Sequence, residues 1–322
     1  MRYQFIDIAK GIGILLVVWF HTSGITRLTT IDGIMWGGIV TTFYMPLFFM
    51  LSGIFFKPSG VLNRIKRLMI PYFGFMILAS LLFVAKGSIV RKSVEWNEIF
   101  APFLGATKGY PNTPCWFLLS LAQISLIYAI VNRIIKQRWQ RVLCAFLLSF
   151  GAYVWGIYVP DVKYYVDVSF LCLVFMALGY EYREFLLKKI TTDIGVCFLS
   201  LSVIIFYLRP FDTNVSQNEI PMGYVEFMLL AIMLSLSIVG ISKCIEKSII
   251  GRWLAYWGEN SLVVLCTHMM IMPVFSFFSH HISNEWIGNL TGTIVVLAVE
   301  VPVIYIIKRY MPYLIGNNTA LN

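Results

Sequence analysis

Charged side chains are scarce in this sequence of 322 residues: Asp, Glu, Lys and Arg make up 13% of it. Water-soluble domains average about 25%. Hydrophobic residues reach 59% and the mean hydropathy is +0.78, which is more apolar surface than one water-soluble core buries. The shortage of charge therefore excludes an ordinary soluble enzyme and predicts an integral membrane protein that crosses the bilayer several times.

Cysteine and histidine are also few and scattered. The six cysteines form no CxxC pair and no metal-type spacing with the four histidines. We therefore expect reduced cysteines that serve packing, and neither a disulfide framework nor a bound metal. Acidic residues number 16 against 25 basic ones, which gives a net charge of +9. Because the basic residues lie in short segments between apolar runs, we expect membrane lipid as a partner and no nucleic acid.

Apolar runs dominate what remains, and ten of them approach the length that crosses about 30 Å of hydrocarbon. They cover residues 8–26, 34–56, 68–85, 114–132, 142–159, 165–182, 193–208, 223–242, 256–278 and 289–307. The pattern predicts an all-α fold, a polytopic membrane helix bundle of about ten transmembrane helices. We expect residues 1–322 to form a single transmembrane domain without a separate soluble domain.

Basic residues are distributed unevenly between alternate connections. If the N-terminus is cytoplasmic, eighteen Lys and Arg residues fall on the cytoplasmic side and seven on the opposite side. This positive-inside bias predicts cytoplasmic N- and C-termini. The two longest connections, 86–113 and 209–222, then lie outside, where they either bind or gate a substrate or serve only to join helices.

Lys10 and His21 stand eleven positions apart on the first apolar segment. In a helix they share a face and lie roughly 16 Å apart along the axis. Ionisable groups inside a span are functional candidates, because burying them costs free energy that packing rarely requires. The alternatives are a snorkelling lysine at the interface and a neutral histidine that hydrogen-bonds a neighbouring helix.

Five phrases follow one another over almost the whole chain: FIDIAKGIGILLVVWFHT, FYMPLFFMLSGIFFK, RIKRLMIPY, WFLLSL and ENSLVVLCTH. In this order they resemble the acyltransferase 3 family of integral membrane acyltransferases, and within it the fucose 4-O-acetylase-like and polysaccharide O-acetyltransferase members. The resemblance implies transfer of an acyl group, usually acetyl, from cytoplasmic acetyl-CoA to a sugar hydroxyl in surface polysaccharide or its lipid-linked precursor. It also implies a multi-pass protein of the bacterial inner membrane.

The family's first-helix pattern, a basic residue followed eleven positions later by histidine, falls on Lys10 and His21, and its preceding acid falls on Asp7. The resemblance implies that His21 is a general base or an acyl-relay residue and that Lys10 binds the donor phosphates. Many members carry arginine at the position of Lys10, and lysine lacks its bidentate fork. Asp7 is a catalytic candidate; alternatively it pairs with Lys10 or caps the first helix.

The family's Arg-x-x-Arg element falls on Arg64 and Arg67, and the SG after the MPLFF run supplies Ser52. The resemblance implies that the two arginines bind CoA phosphates, and Ser52 is a further donor-binding candidate. The alternatives are positive-inside anchoring for the arginines and close helix packing for Ser52. His268 either contacts the acceptor hydroxyl or the thioester, as a catalytic residue, or serves helix packing.

Histidine suits a base that activates a sugar hydroxyl, since its ordinary pKa is about 6.5. The expected partners are acyl-CoA, a sugar or glycolipid acceptor, membrane lipid and, as an open possibility, a second copy of the chain. Glu300 is the deepest of the buried acids, which are candidates to orient His21. A transporter or flippase of a glycolipid or small solute is the alternative function, since ten helices with a few buried ionisable groups also fit it.

Overall fold

The computed structural model describes residues 3–26, 37–90, 112–159, 162–210, 213–279, 282 and 284–316. These residues form twelve α-helices and one isolated β-bridge, between Asn214 and Glu219. The helices are α1 (Gln4–Thr26), α2 (Gly37–Ile54), α3 (Val61–Val90), α4 (Trp116–Ile134), α5 (Arg138–Tyr158), α6 (Val166–Glu181), α7 (Arg183–Lys188), α8 (Thr192–Leu208), α9 (Tyr224–Cys244), α10 (Ile249–Glu259), α11 (Ser261–Ser279) and α12 (Glu285–Tyr310).

Eight stretches of the described chain are helical, long and apolar enough to cross a membrane. The apolar helices at Thr192–Leu208 and Ser261–Pro273 are shorter. Together these ten coincide with the ten segments expected from the sequence. Helices suit this setting because each one satisfies its own backbone hydrogen bonds, as hydrocarbon requires. The predicted all-α, polytopic membrane bundle is thus confirmed.

The expected segment 256–278 is the place where structure and sequence pattern differ. The helix is interrupted at Asn260, whose backbone N–H is shared between the carbonyls of Tyr256 and Trp257. Helix α11 begins only at Ser261. The preceding α10 is amphipathic: the charged residues Arg252 and Glu259 are exposed whereas Leu254 and Ala255 are buried. Short amphipathic helices are typical of membrane–water interfaces. The apolar residues near the end of α10 are followed closely by those of α11, so the hydropathy pattern showed the two helices as one segment.

Helix α1 lies at the centre of the bundle, packed against α2, α9, α10, α11 and α12. Its contact with α10 is a close approach of two backbones. A Cβ added at Gly11 would lie 2.0 Å from the Leu254 carbonyl oxygen, and one at Gly258 would lie 1.7 Å from that of Asp7. Only glycine fits at such a crossing. The glycines therefore hold the helix that carries Lys10 and His21.

The two ends of the bundle differ in chemistry. We call one the basic end, defined by Lys10, Arg64 and Lys243. There the Lys243 ammonium lies 4.9 Å from the Phe5 ring centroid and donates to three main-chain carbonyls near the end of α7. We call the opposite end, which carries His21, the histidine end. The basic end corresponds to the side predicted to be cytoplasmic.

Candidate active site

His21 lies near the end of α1, where its ring is held by the helix itself. Nδ1 contacts the carbonyl oxygen of Val17 at 2.7 Å, one turn earlier. A carbonyl oxygen only accepts hydrogen bonds, so Nδ1 carries the proton of the neutral ring and Nε2 is its basic atom. The contact with Val17 therefore defines the tautomer of the neutral ring and leaves Nε2 as its basic atom.

His268 on α11 is the second histidine of the site. Its ring centroid lies 5.0 Å from that of His21, with the planes at 65°. It is fully buried, and its Nδ1 contacts the Val264 carbonyl oxygen at 2.7 Å. Its Nε2 has no hydrogen-bond partner among the described residues. An unpaired buried acceptor costs about 1–3 kcal/mol, so the hydrogen-bonding capacity of His268 Nε2 is left unused by the described residues.

A cavity of about 240 Å³ adjoins the histidine pair, and His21 is part of its wall. Hydroxyl and amide side chains form one portion of the wall: Thr41, Thr113, Thr213, Asn214 and Ser216. Aromatic rings form another: Phe20, Tyr44 and Trp116. His268 does not line the cavity and is fully buried behind it. Polar groups of this kind beside flat apolar rings match a ligand that has both hydroxyl groups and C–H faces.

Buried polar contacts fix α1 beside His21. Thr22 donates from its hydroxyl to Asn289 Oδ1 at 2.6 Å, and its Oγ1 lies 2.9 Å from that of Thr293. Both partners belong to α12. Hydrogen bonds between helices of this kind act as links inside a membrane, where water does not compete. They hold the residue next to His21 against a second helix.

Glu300 does not orient either histidine through Nδ1, because both Nδ1 atoms are engaged by main-chain carbonyls. Its two carboxyl oxygens instead lie 2.8 and 2.9 Å from the hydroxyl of Thr267, the residue before His268. Glu300 is fully buried. A carboxylate–histidine arrangement of the hydrolytic-triad type, considered from the sequence, is therefore absent at Nδ1 of both rings.

Asp7 lies at the basic end, away from the histidine pair. Its carboxylate is 3.7 Å from the Lys10 ammonium. Fourteen helical positions separate Asp7 from His21, which is about 21 Å along α1. The structure thus pairs Asp7 with Lys10 and does not bring it to His21, whereas it does bring His268 there.

Arg64 and Ser52 meet at the basic end. The Arg64 Nε donates to Ser125 Oγ at 3.0 Å and an Nη to the Ser52 carbonyl oxygen at 3.3 Å. Its guanidinium also lies 5.5 Å from the Phe56 ring centroid. The contact of Ser52 is thus made by its main chain. Arg67 is exposed one helical turn further along α3.

Sequence reasoning missed the individual residues that the 209–222 connection contributes to the cavity. It proposed only that this connection could bind or gate an acceptor, without choosing residues. The signal was present as the polar run TNVSQN at residues 213–218, in the connection that follows the apolar helix α8. Most of the other long connection, 86–113, lies outside the described residues.

The fold and the site define a polytopic helical membrane protein with a histidine pair beside a polar cavity. Comparison with protein families gives a match to a model described as an acyltransferase domain, over residues 3–309. The chain belongs to the acyltransferase 3 family and is a membrane acyltransferase. Comparisons with curated proteins and with solved structures gave no match.

Proposed function

We propose that this membrane acyltransferase moves acetyl from cytoplasmic acetyl-CoA to a hydroxyl of a sugar in surface polysaccharide or its lipid-linked precursor. One observation carries the proposal: a single helix, α1, bears a cation at the basic end and a histidine of defined tautomer at the polar cavity. Such a helix serves an anionic donor and a hydroxyl acceptor that approach from opposite ends.

The basic end suits the phosphates of CoA. Arg64 commits two of its five N–H donors to Ser125 and Ser52, which leaves three for phosphate oxygens. Lys10 adds a positive charge on α1, and Arg67 adds one on α3. The roughly 16 Å along α1 from Lys10 to His21 is then the path of the pantetheine arm, which carries the thioester to the histidine pair.

At the histidine end the direct reaction runs as a base-assisted ester formation. His21 Nε2 takes the proton of the acceptor hydroxyl while the oxygen attacks the thioester carbonyl carbon. The tetrahedral intermediate collapses, the C–S bond breaks, and the thiolate takes up a proton to leave as free CoA. The products are the sugar acetate and CoA, so each proton and electron pair is accounted for.

His268 gives the site a second basic nitrogen, which fits two routes. In the direct route its ring, 5.0 Å from that of His21 between centroids, exchanges a proton with His21. In a relay, His21 Nε2 attacks the thioester itself to form an acyl-imidazole, and the thiolate leaves as CoA with the proton lost from the ring; the acceptor hydroxyl then attacks the acyl carbon and returns its proton to His21. Acid-quench trapping of radiolabelled acetyl on the protein distinguishes them, because only the relay leaves label on His21.

The test of the proposal is CoA release from acetyl-CoA by purified protein in proteoliposomes, with and without a glycan-lipid extract from bacterial membranes. We expect release that requires the extract in the wild type and is lost in His21→Ala. The variant must keep the wild-type elution volume and unfolding midpoint. If the wild type releases no CoA with any acceptor or acyl-CoA, the proposal fails, and solute flux across the same vesicles then tests the transporter alternative.

A further inference from the structure

The connection between α8 and α9 is folded into the bundle at the histidine end. Asn214 and Glu219 exchange two main-chain hydrogen bonds, of 3.0 and 3.1 Å. Within and after this turn, Val215, Ile220 and Met222 are buried. Residues 213–222 therefore form an ordered element, which we call the cavity loop.

Two helices anchor the cavity loop. Asn218, in the left-handed conformation with φ 56°, donates from Nδ2 to the Ala152 carbonyl oxygen of α5 at 2.8 Å. On the other side, the Thr42 hydroxyl of α2 donates to Thr213 Oγ1 at 3.1 Å. Anchoring on both sides fixes the intervening residues, and two of these, Asn214 and Ser216, line the cavity.

The side chains of Asn214 and Ser216 orient each other. The Ser216 hydroxyl donates to Asn214 Oδ1 at 2.7 Å. This bond uses the amide oxygen of Asn214 and leaves its NH₂ group as a double donor. The same cavity wall carries His21, whose Nε2 is an acceptor. Donor and acceptor on one wall match a ligand with several hydroxyl groups, since each hydroxyl both donates and accepts.

The cavity wall is free of formal charge in the part that the structure describes: none of its lining residues is Asp, Glu, Lys or Arg. A carboxylate or phosphate that entered would lose its hydration without gaining a counter-ion, which is unfavourable. The volume of about 240 Å³ is below the range of roughly 300–1,000 Å³ typical of sites for drug-sized ligands. One small ring fits better than a chain of rings.

We propose that the cavity binds one uncharged sugar ring of the acceptor and that Asn214, positioned by Ser216, is the residue that recognises it. The inference rests on the proposed function for the identity of the acceptor. The inference goes beyond that function because it assigns the charge of the sugar ring and the residue that binds it. The cavity loop is then the element that determines acceptor specificity.

The test measures binding first, so that it does not depend on turnover. Neutral methyl hexosides and the matched methyl glycoside of glucuronic acid are titrated by calorimetry into the purified wild-type protein without acetyl-CoA, so that no turnover occurs. The Asn214→Ala variant is then titrated in the same way. We expect a neutral hexoside to bind at least tenfold more tightly than the glucuronide. Asn214→Ala should weaken the neutral hexoside about tenfold, as loss of one hydrogen bond of about 1.4 kcal/mol implies.

Gln217→Ala is the matched control, since Gln217 lies in the same loop and is exposed; it should leave binding unchanged. In turnover, Asn214→Ala should raise the acceptor KM about tenfold and leave the acetyl-CoA KM alone. Binding of the glucuronide as tightly as the hexosides, no binding of any hexoside, or an unchanged affinity in Asn214→Ala would each overturn the inference. Hexoside binding without any CoA release would instead overturn only the proposed function.

Discussion

The basic end and the histidine end of α1 hold their ionisable groups in opposite ways. At the basic end, Lys10 lies beside the Asp7 carboxylate and Arg64 donates to Ser125 and Ser52. At the histidine end, both rings contact main-chain carbonyls through Nδ1 and lie against each other. The first arrangement keeps full charges in place for an anion. The second keeps neutral rings with a basic nitrogen, so one helix separates charge recognition from proton transfer.

The largest effect is expected at the histidine end. His21→Ala removes the basic nitrogen and should lower kcat by about 10²–10⁴-fold, the usual contribution of a general base. The acetyl-CoA KM should stay near the wild-type value, because the donor phosphates are bound at the other end. Steady-state kinetics with both substrates varied gives the two constants. A His21→Ala variant that changes only the acetyl-CoA KM would remove the distinction between the ends.

Gly258→Ala should disrupt the close packing of α10 against α1, the helix that carries both ends. Its Cβ would lie 1.7 Å from the Asp7 carbonyl oxygen, and overpacking of this kind costs about 1–3 kcal/mol. We expect a lower thermal unfolding midpoint in detergent. Gly151→Ala on α5 is the matched control, because its Cβ meets nothing within 4 Å. Equal midpoints for the two variants would show that the close approach of α1 and α10 is dispensable.

Arg64→Ala tests the basic end. Loss of the charged N–H donors should raise the acetyl-CoA KM about tenfold. A hydrogen bond to a charged group contributes about 1.5–3 kcal/mol, and the lower limit of this range corresponds to about a factor of ten. The acceptor KM should not change. Lys66→Ala serves as the control, since Lys66 is exposed on the same helix. A rise in the acceptor KM instead would place Arg64 in the acceptor path.

The smallest effect is expected from Asp7→Asn. Asp7 was a catalytic candidate from the sequence, but about 21 Å of helix separates it from His21. The change removes a partly exposed ion pair with Lys10, worth up to about 1 kcal/mol. We therefore expect kcat to stay within about twofold of wild type and the acetyl-CoA KM to shift by a few-fold at most. A fall in kcat comparable to that of His21→Ala would restore Asp7 to the chemistry.

Several relations within the site could be predicted from the sequence. Lys10 and His21 share one segment, and the spacing of residues on a single helix fixes their axial separation. The Val17 contact of His21 is also local, since it joins positions one turn apart. Ser52 and Arg64 are in contact, and only the short connection between α2 and α3 separates their helices. Each of these relations depends on neighbours along the chain.

Other relations had no local signal. The break at Asn260 was hidden because the apolar face of α10 continues the hydropathy of α11. The role of Glu300 was undetermined, because its partner Thr267 lies on a different helix. The contribution of Asn214 to the cavity depends on the anchoring of its loop by α2 and α5. None of these contacts repeats with a period that a pattern could show.

The sequence by itself determined that this chain is a multi-pass helical membrane protein, because apolar content and segment length are local properties and each helix closes its own backbone hydrogen bonds. Tertiary structure alone decided that the ring centroid of His268 lies 5.0 Å from that of His21, that Asp7 lies at the other end of α1, and that Asn214 and Ser216 share the cavity wall with His21. The reason is physical. Which helices become neighbours in lipid depends on close packing at glycines and on hydrogen bonds between helices, and these join residues far apart in the chain.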